Sequence, residues 1–186
     1  MIEKKYGVED LDHEVFSPNE INNILVDMAN EISKDFQNLN LTILSIMNGG
    51  LFMTVDLIRL LRVSCQIDSI KVNSYTGDVQ SEDAFLFPND DMSLLKDRDV
   101  LIVDEIFDSG STMRWIVNKL NLIPEISSVR SAALLMKNKK REIAYVPDYI
   151  GLNVEDVFMV GYGLDFFGNY RDLPSIGVLK SDKICK

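Results

Sequence analysis

The stretch that decides the fold is VLIVDEIFDSGSTM, residues 100–113. Its first four residues form a short apolar run, which predicts a strand buried on both faces and ending at Asp104. After the next loop, apolar residues recur at helical spacing from Met113 to Leu120. The stretch is therefore predicted to be a strand, a loop and a helix, the repeating unit of α/β proteins.

The loop between this strand and helix has the composition of an anion site. In a parallel sheet, ligands bind where the carboxyl end of a strand opens into the N-terminus of a helix. Ser109, Gly110 and Ser111 are small enough for backbone N–H groups to approach an anion, and Thr112 adds a hydroxyl near the positive end of the helix dipole. The loop predicts a phosphate monoester site. The alternative is an ordinary helix cap with no ligand.

Two acids, Asp104 and Glu105, come directly after the predicted strand. Adjacent carboxylates at this place either accept hydrogen bonds from vicinal hydroxyls or approach a magnesium ion. A similar pair ends the metal-binding strand of nucleotide triphosphatases. The sequence has no G-x-x-x-x-G-K-[ST] loop and no G-x-G-x-x-G, so neither that class nor a dinucleotide-binding fold is favoured.

The region before this stretch predicts a helix and then a second strand, turn and helix. Ser17 is a predicted N-cap, with Pro18 at the first helical position and Glu20 completing a capping box. The apolar run at 41–47 predicts a strand, followed by the turn Asn48-Gly49-Gly50 and by helical composition at 51–62.

Further strand candidates alternate with loops and helices along the remaining chain. This alternation favours an α/β fold with a parallel-sheet core flanked by helices, and the length fits a single domain over residues 1–186. A polar stretch of weak periodicity at 75–91 is predicted to be a long mobile loop, a common form of active-site lid. The strand candidates are residues 67–73, 129–136, 157–162 and 175–179.

Composition excludes several classes of partner. The formal net charge of -10 argues against binding to nucleic acid or to an anionic membrane, since both need a basic face. No run of about 18 apolar residues predicts a membrane span. The two cysteines are far apart and suggest neither a disulfide framework nor a zinc site, so a cytoplasmic location is expected.

Residues 100–112 resemble the phosphoribosyl pyrophosphate motif of type I phosphoribosyltransferases: an apolar strand, two acids, two apolar residues and Asp-[ST]-Gly-x-Thr. Farther on, VGYGLD at 160–165 and YRDLP at 170–174 resemble the C-terminal signature of hypoxanthine-guanine phosphoribosyltransferases. The similarity runs from about residue 41 to residue 179. It implies that a small hood, formed by about 1–16 and 140–186, stands over the parallel-sheet core.

The resemblance implies a purine salvage enzyme, a pentosyltransferase that uses Mg²⁺. It would transfer the 5-phosphoribosyl group from phosphoribosyl pyrophosphate to hypoxanthine and/or guanine, giving IMP or GMP and pyrophosphate. A homodimer or homotetramer is expected from the family. Two alternatives stay open at this point: a noncatalytic sensor of phosphoribosyl pyrophosphate, and a relative that prefers xanthine or guanine.

Site residues follow from the resemblance, position by position. On the purine side, Asp108 would be the general base and Lys137 would donate to the 6-oxo group, while Phe158 stacks on the base and the backbone at Met159 bonds its edge. Asp104 and Glu105 would contact the ribose hydroxyls, and residues 108–112 would bind the 5′-phosphate. Gly49, Gly50 and Arg171 would contact pyrophosphate, and Ser74 and Tyr75 would belong to the lid. Magnesium would be held by Asp165, Asp104 and Glu105.

The sequence departs from the family pattern at three places. The acid pair reads Asp-Glu where many relatives have Glu-Asp, which keeps the charge but shifts its reach by one methylene. Asn48 stands where many relatives carry a basic residue, so one cation near pyrophosphate is missing. The predicted lid is more acidic than expected beside a polyphosphate, which predicts a different closure.

Overall fold

The computed structural model describes residues 6–72, 85–86, 95–141 and 144–184. The helices are a 3-10 turn at Val8–Asp10 and α1 to α4, which span Pro18–Asp35, Gly50–Leu60, Ser111–Leu120 and Ser181–Ile184. The strands β1 to β9 span Leu11–Phe16, Leu41–Met47, Cys65–Val72, Phe85–Leu86, Asp99–Phe107, Ser128–Asn138, Tyr149–Glu155, Met159–Val160 and Ile176–Leu179.

The large sheet has the order β4-β3-β2-β5-β6-β7. Five of its strands are parallel, and only β4 at the edge runs antiparallel. The predicted α/β fold with a parallel-sheet core is therefore confirmed. From β2 the chain proceeds outward to β3, whereas β5, β6 and β7 extend in the other direction. The reversal between β2 and β5 is the topological switch point, where α/β sheets bind ligands.

Strand β5 is apolar without interruption at residues 100–103 because both of its faces are buried. Leu101 and Val103 point into the core formed with α1 and α2, and Val100 and Ile102 point into the core formed with α3. Each of these four side chains is fully buried. Because both faces of the sheet are covered by helices, alternating polarity would place polar groups inside a core.

Strand β5 extends farther than its sequence predicts. The predicted strand end at Asp104 is wrong, because pairing with β6 continues from Asp104↔Ala133 to Phe107↔Met136. Both acids therefore lie within the strand. Backbone pairing with β6 outweighs the low strand propensity of two carboxylates, since propensity is weaker than tertiary context.

Three strands were not predicted at all: β1, β7 and the two-residue β4, which lies within the predicted loop. In β7 the local signal is weakened by Gly151, which lies where α1 and β6 approach the strand closely. A Cβ at this position would lie 2.5 Å from the Leu134 carbonyl oxygen and 2.7 Å from a methyl carbon of Ile24. The glycine is required by packing although it lowers strand propensity.

A second, small sheet pairs the two ends of the chain in the order β1-β9-β8. Both pairings are antiparallel, and Leu11, Val160 and Leu179 share a core of their own with Tyr170 and Leu173. The predicted strand at 157–162 is shorter, Met159–Val160. Within the range 140–186, β7 belongs to the large sheet and β8 and β9 to the small one.

The remaining predictions for the fold are met in part. Ser17 and Glu20 form the predicted capping box, with Ser17 N donating to Glu20 Oε2 at 2.8 Å. Within the predicted lid, residues 85–86 pair with β3, and the other residues of that segment lie outside the described ranges. Across the described parts of the chain, none of the helices has the length and apolar character of a membrane span.

Candidate active site

The candidate active site lies at the switch point, where β2 and β5 end side by side. The turn at Gly49 and Gly50 follows β2, and the loop at 108–110 follows β5. We call the space above these two strand ends the switch-point crevice. Because β2 and β5 pair in parallel, their carboxyl ends meet at one edge of the sheet.

The loop after β5 presents the N-terminus of α3 to this crevice. Gly110 is the N-cap and has φ of 80°, a left-handed conformation that glycine adopts without strain. The N-cap residue itself therefore provides no side-chain cap for the helix. Ser109 Oγ lies 3.3 Å from both the backbone N and the Oγ of Ser111. This arrangement of hydroxyl and N–H donors suits a phosphate.

The acid pair forms the floor of the crevice. Burial raises the pKa of Asp104 well above its ordinary value, and the neighbouring charge of Glu105 raises it further. The Oε2 atom of Glu105 is shielded from solvent and has no hydrogen-bond partner among the described residues. Two carboxylates in this state call for a cation or for hydroxyl donors from a ligand.

The glycine turn after β2 packs directly against this pair. A Cβ on Gly49 would overlap the carboxylate of Glu105, and one on Gly50 would lie 2.7 Å from the carbonyl oxygen of Val103. Gly49 also contacts Gly163 from the C-terminal segment, whose φ is +96°. Only residues without side chains allow these three stretches of backbone to meet.

Arg171 and Asp165 close the crevice from the C-terminal side. Arg171 Nη2 lies 2.6 Å from Asp165 Oδ1, and Arg171 Nη1 donates to the Gly163 carbonyl oxygen at 2.5 Å. The second oxygen of Asp165 accepts from the backbone N of Gly168 at 2.7 Å. The predicted pyrophosphate cation and the predicted metal ligand are therefore paired with each other in this structure.

Four charged groups meet where β5, β6 and β7 end. Lys137 Nζ lies 3.5 Å from Asp108 Oδ2 and 3.1 Å from Asp156 Oδ1, and Lys139 Nζ contacts the other oxygen of Asp108. Burial raises the pKa of Asp108, but the ammonium groups of Lys139 and Lys137 outweigh it, so the pKa lies below its ordinary value. The Asp108 carboxyl is therefore ionised at neutral pH, which is the form able to accept a proton.

Phe158, which is predicted to stack on the purine base, has an exposed ring. Phe158 is 47% exposed, and its ring meets the Phe166 ring edge-on with centroids 5.7 Å apart. Met159, the next residue, is buried in β8. An exposed phenylalanine held at its edge by a second ring offers a flat face for stacking.

The sequence of residues 17–166 matches the family described as the phosphoribosyl transferase domain. The hypoxanthine-guanine phosphoribosyltransferase of Staphylococcus epidermidis is 32% identical over 178 residues, which cover 96% of this chain and 99% of that protein. The chain belongs to the hypoxanthine-guanine phosphoribosyltransferase family. The Staphylococcus aureus (strain Mu50) protein of the same name is 32% identical over 173 residues, covering 93% and 96% of the two chains.

Solved structures agree with this family. A hypoxanthine phosphoribosyltransferase from Staphylococcus aureus superposes with a TM-score of 0.86 at 30% identity, over 98% of this chain and 100% of that one. A hypoxanthine-guanine-xanthine phosphoribosyltransferase superposes with a TM-score of 0.77 at 27% identity, over 95% and 99%. This phosphoribosyltransferase therefore matches its relatives over nearly its whole length.

Several predicted site residues of this phosphoribosyltransferase come together in space, while Ser74 and Tyr75 lie outside the described residues. Sequence reasoning missed Asp156, Lys139 and Arg141. The run Lys137-Asn138-Lys139-Lys140-Arg141 was a signal for a basic group at the end of β6. It did not show which of the cations point toward Asp108.

Proposed function

We propose that this chain transfers the 5-phosphoribosyl group of phosphoribosyl pyrophosphate to hypoxanthine and/or guanine, releasing pyrophosphate and forming IMP or GMP. The observation that carries the proposal is the juxtaposition of Lys137 and Asp108 at the mouth of the phosphate loop. A hydrogen-bond donor and a proton acceptor 3.5 Å apart match the neighbouring 6-oxo and imidazole nitrogen positions of a 6-oxopurine.

The sugar phosphate has complementary groups along the crevice. The hydroxyls of Ser109, Ser111 and Thr112, with the N–H groups at the start of α3, would bind the 5′-phosphate. The carboxylates of Asp104 and Glu105 would accept hydrogen bonds from the two ribose hydroxyls. This contact would satisfy the shielded Glu105 oxygen.

The acid pair also fits a magnesium ion carried by the substrate. Among the described residues there is no group of three or more His, Cys, Asp or Glu that would form an all-protein metal site. Mg²⁺ is usually held by one or two carboxylates together with phosphate oxygens and water. Asp104, Glu105 and Asp165 are the residues that would hold magnesium, and its charge would help to neutralise the leaving group.

Arg171 would bind the leaving pyrophosphate. Departure of pyrophosphate leaves positive charge on the ribose and negative charge on the leaving group, so a fixed guanidinium lowers the barrier to separation. To reach pyrophosphate, Arg171 would exchange its contact with Asp165 for the phosphate oxygens, and Asp165 would then be free for the metal. The two ligands would therefore assist each other's binding.

Lys137 would select the base. Its ammonium has only donors, which pair with a 6-oxo group but leave the 6-amino group of adenine unmatched. Asp108 would accept the proton from the purine imidazole as the attacking nitrogen bonds to the ribose carbon. Phe158 would hold the ring flat between these groups and the ribose.

A second candidate function is a noncatalytic sensor of phosphoribosyl pyrophosphate. It needs the phosphate loop and the acid pair, but it has no use for a proton acceptor with a lowered pKa at Asp108 beside Lys137. That arrangement favours the enzyme. A cytoplasmic location and a homodimer or homotetramer are part of the same proposal, to be tested by fractionation and by light scattering.

The test is steady-state formation of nucleotide from phosphoribosyl pyrophosphate and Mg²⁺ with hypoxanthine, guanine, xanthine or adenine. We expect turnover of hypoxanthine or guanine and none of adenine. Asp108→Asn should lower kcat by about 100-fold or more, since general-base catalysis contributes at least this much. Asp12→Asn, an exposed aspartate on β1, is the matched control and should leave kcat unchanged. Binding of phosphoribosyl pyrophosphate without turnover of any base would indicate the sensor.

A further inference from the structure

Lys139 is a charged residue of the site that has no role in the proposed reaction. It lies one residue beyond the end of β6, with its side chain only 29% exposed. Its backbone N donates to the Lys137 carbonyl oxygen at 3.1 Å, in a tight turn that returns the side chain toward β5. A lysine at a strand end is ordinarily solvated, so partial burial of this one requires a partner.

The partner of Lys139 is the Asp108 carboxylate. Asp108 Oδ1 is shielded from solvent and makes no hydrogen bond of regular geometry to any described residue. The Lys139 ammonium, in contact with this oxygen, is therefore what compensates its charge. The other oxygen lies 3.5 Å from Lys137.

Lys137 cannot serve both Asp108 and a purine equally. Its ammonium lies closer to Asp156, at 3.1 Å, than to Asp108, at 3.5 Å. When its ammonium turns to a 6-oxo group, its contact with Asp108 weakens. Lys139 then remains as the cation beside the carboxylate, since it lies 3.9 Å from Asp156 and in direct contact with Asp108.

We propose that Lys139 is a positioning residue, which keeps the Asp108 carboxylate in its proton-accepting form and aimed at the purine imidazole. The inference rests on the proposed function and deepens it. Lys139 acts through Asp108 and does not touch the base. Because Oδ1 is held by Lys139, the free lone pairs of Oδ2 are left to meet the substrate.

The other charged groups around Asp108 do not replace Lys139. Arg141 donates to the carbonyl oxygens of Phe107, Asp108 and Lys137 and lies over the Phe107 ring, so it fixes the backbone and not the carboxylate. Asp156 is a second acid, and its charge opposes ionisation of Asp108.

The experiment compares pH profiles of kcat/KM for hypoxanthine in wild type, Lys139→Met, Lys139→Arg and Lys140→Met. Lys140 is the exposed neighbour and supplies the matched control. In Lys139→Met the lowering of the Asp108 pKa by Lys139 is lost, and only Lys137 remains to oppose the rise that burial causes. We expect its acid limb to move up by about one pH unit, an approximately tenfold loss on the acid side.

The control variants should keep the wild-type profile, Lys139→Arg because it retains a cation and Lys140→Met because the Lys140 side chain is exposed to solvent. In parallel, carbon-detected NMR of the Asp108 carboxyl, assigned with Asp108→Asn, follows its titration without any turnover. We expect the same upward movement in Lys139→Met. An acid limb and an Asp108 titration that both coincide with wild type would overturn the inference. Absence of turnover in the wild type would refute the proposed function, whereas NMR would still report on Lys139.

Discussion

The two halves of the switch-point crevice are built in different ways. The half that we propose for the 5′-phosphate is one continuous loop, residues 108–112, whose donors lie before or at the start of α3. The half that we propose for pyrophosphate combines Gly49 with Gly163 and Arg171, so it is built from two widely separated parts of the chain. The first half depends on local conformation, and the second depends on how the small sheet is seated on the large one.

This difference indicates which structural changes should impair each half. A helix N-terminus retains its donors and its dipole as long as the helix forms. An assembled site loses its geometry whenever one contributing segment moves, and a displacement of about 1 Å is enough to cost about 100-fold in rate. Substitutions in the two halves should therefore separate effects on nucleotide binding from effects on pyrophosphate.

The largest effect is expected from Arg171→Met. Loss of the guanidinium should lower kcat/KM for phosphoribosyl pyrophosphate by about 1,000-fold, as for other fixed charges that stabilise a leaving group. The affinity for IMP, which lacks pyrophosphate, should change little, because the 108–112 loop is untouched. Isothermal titration with IMP beside steady-state kinetics checks this separation. Equal losses in both would mean that the two halves are not independent.

Next in size is Gly163→Ala, compared with Gly168→Ala. Both glycines have left-handed backbones, with φ of +96° and +79°. At Gly163 a Cβ would also meet the main chain of Gly49, whereas at Gly168 nothing lies within 4 Å. We expect the free energy of unfolding to fall by about 3 kcal/mol for Gly163→Ala and about 1 kcal/mol for Gly168→Ala. Urea unfolding measures both, and equal values would contradict the close approach.

The seating of the small sheet should respond to Asp10→Asn. Asp10 is 4% exposed and accepts from Lys183 at 2.6 Å and from Tyr170, the neighbour of Arg171, at 3.1 Å. The substitution removes the carboxylate that pairs with Lys183, which should lower the free energy of unfolding by about 2 kcal/mol at neutral pH. It should weaken phosphoribosyl pyrophosphate binding more than IMP binding.

The same contact has a predictable pH dependence. The hydrogen bond from Lys183 lowers the pKa of Asp10 below its ordinary value of 3.8. A carboxyl with a lowered pKa in the folded state adds stability above its unfolded pKa, and this stability is lost as pH falls through the folded pKa. Wild type and Asp10→Asn should therefore converge in melting temperature as pH falls below about 4. A constant difference down to pH 2 would argue against the ion pair.

The smallest effect is expected in the local half, from Gly110→Ala. Its φ of 80° makes the alanine strained, which should cost about 1 kcal/mol in the free energy of unfolding. IMP affinity should fall because the loop relaxes away from the phosphate. Thermal unfolding and IMP titration report the two effects. A larger loss for phosphoribosyl pyrophosphate than for IMP would show that this loop also shapes the pyrophosphate half.

Much of the fold was readable from local pattern. The strand at 41–47, the capping box at Ser17 and the helix that begins at Ser111 agree with their predictions, because each depends on neighbouring residues. The strand β7 was not readable. Gly151 is needed because α1 packs closely against this strand, and that contact cannot be predicted from the neighbouring residues.

The site divides in the same manner. The phosphate loop was predicted from residue chemistry, and the roles of Asp108, Lys137, Phe158 and Arg171 were predicted from the resemblance alone. The ion pair of Arg171 with Asp165 and the contact of Lys139 with Asp108 were not anticipated. The sequence does not indicate which partner the ammonium group of Lys137 or of Lys139 contacts. The turn after β6 decides where each ammonium lies.

The sequence by itself determined the unit of strand, anion loop and helix, because apolar periodicity and small residues act over a few positions. Tertiary structure alone decided the length of β5, the meeting of Gly49 with Gly163 and the partners of each charge. These depend on the order of strands in the sheet, which brings distant residues within contact distance. Electrostatic interactions weaken with distance and strengthen with burial, so their effects were settled only when the chain had folded.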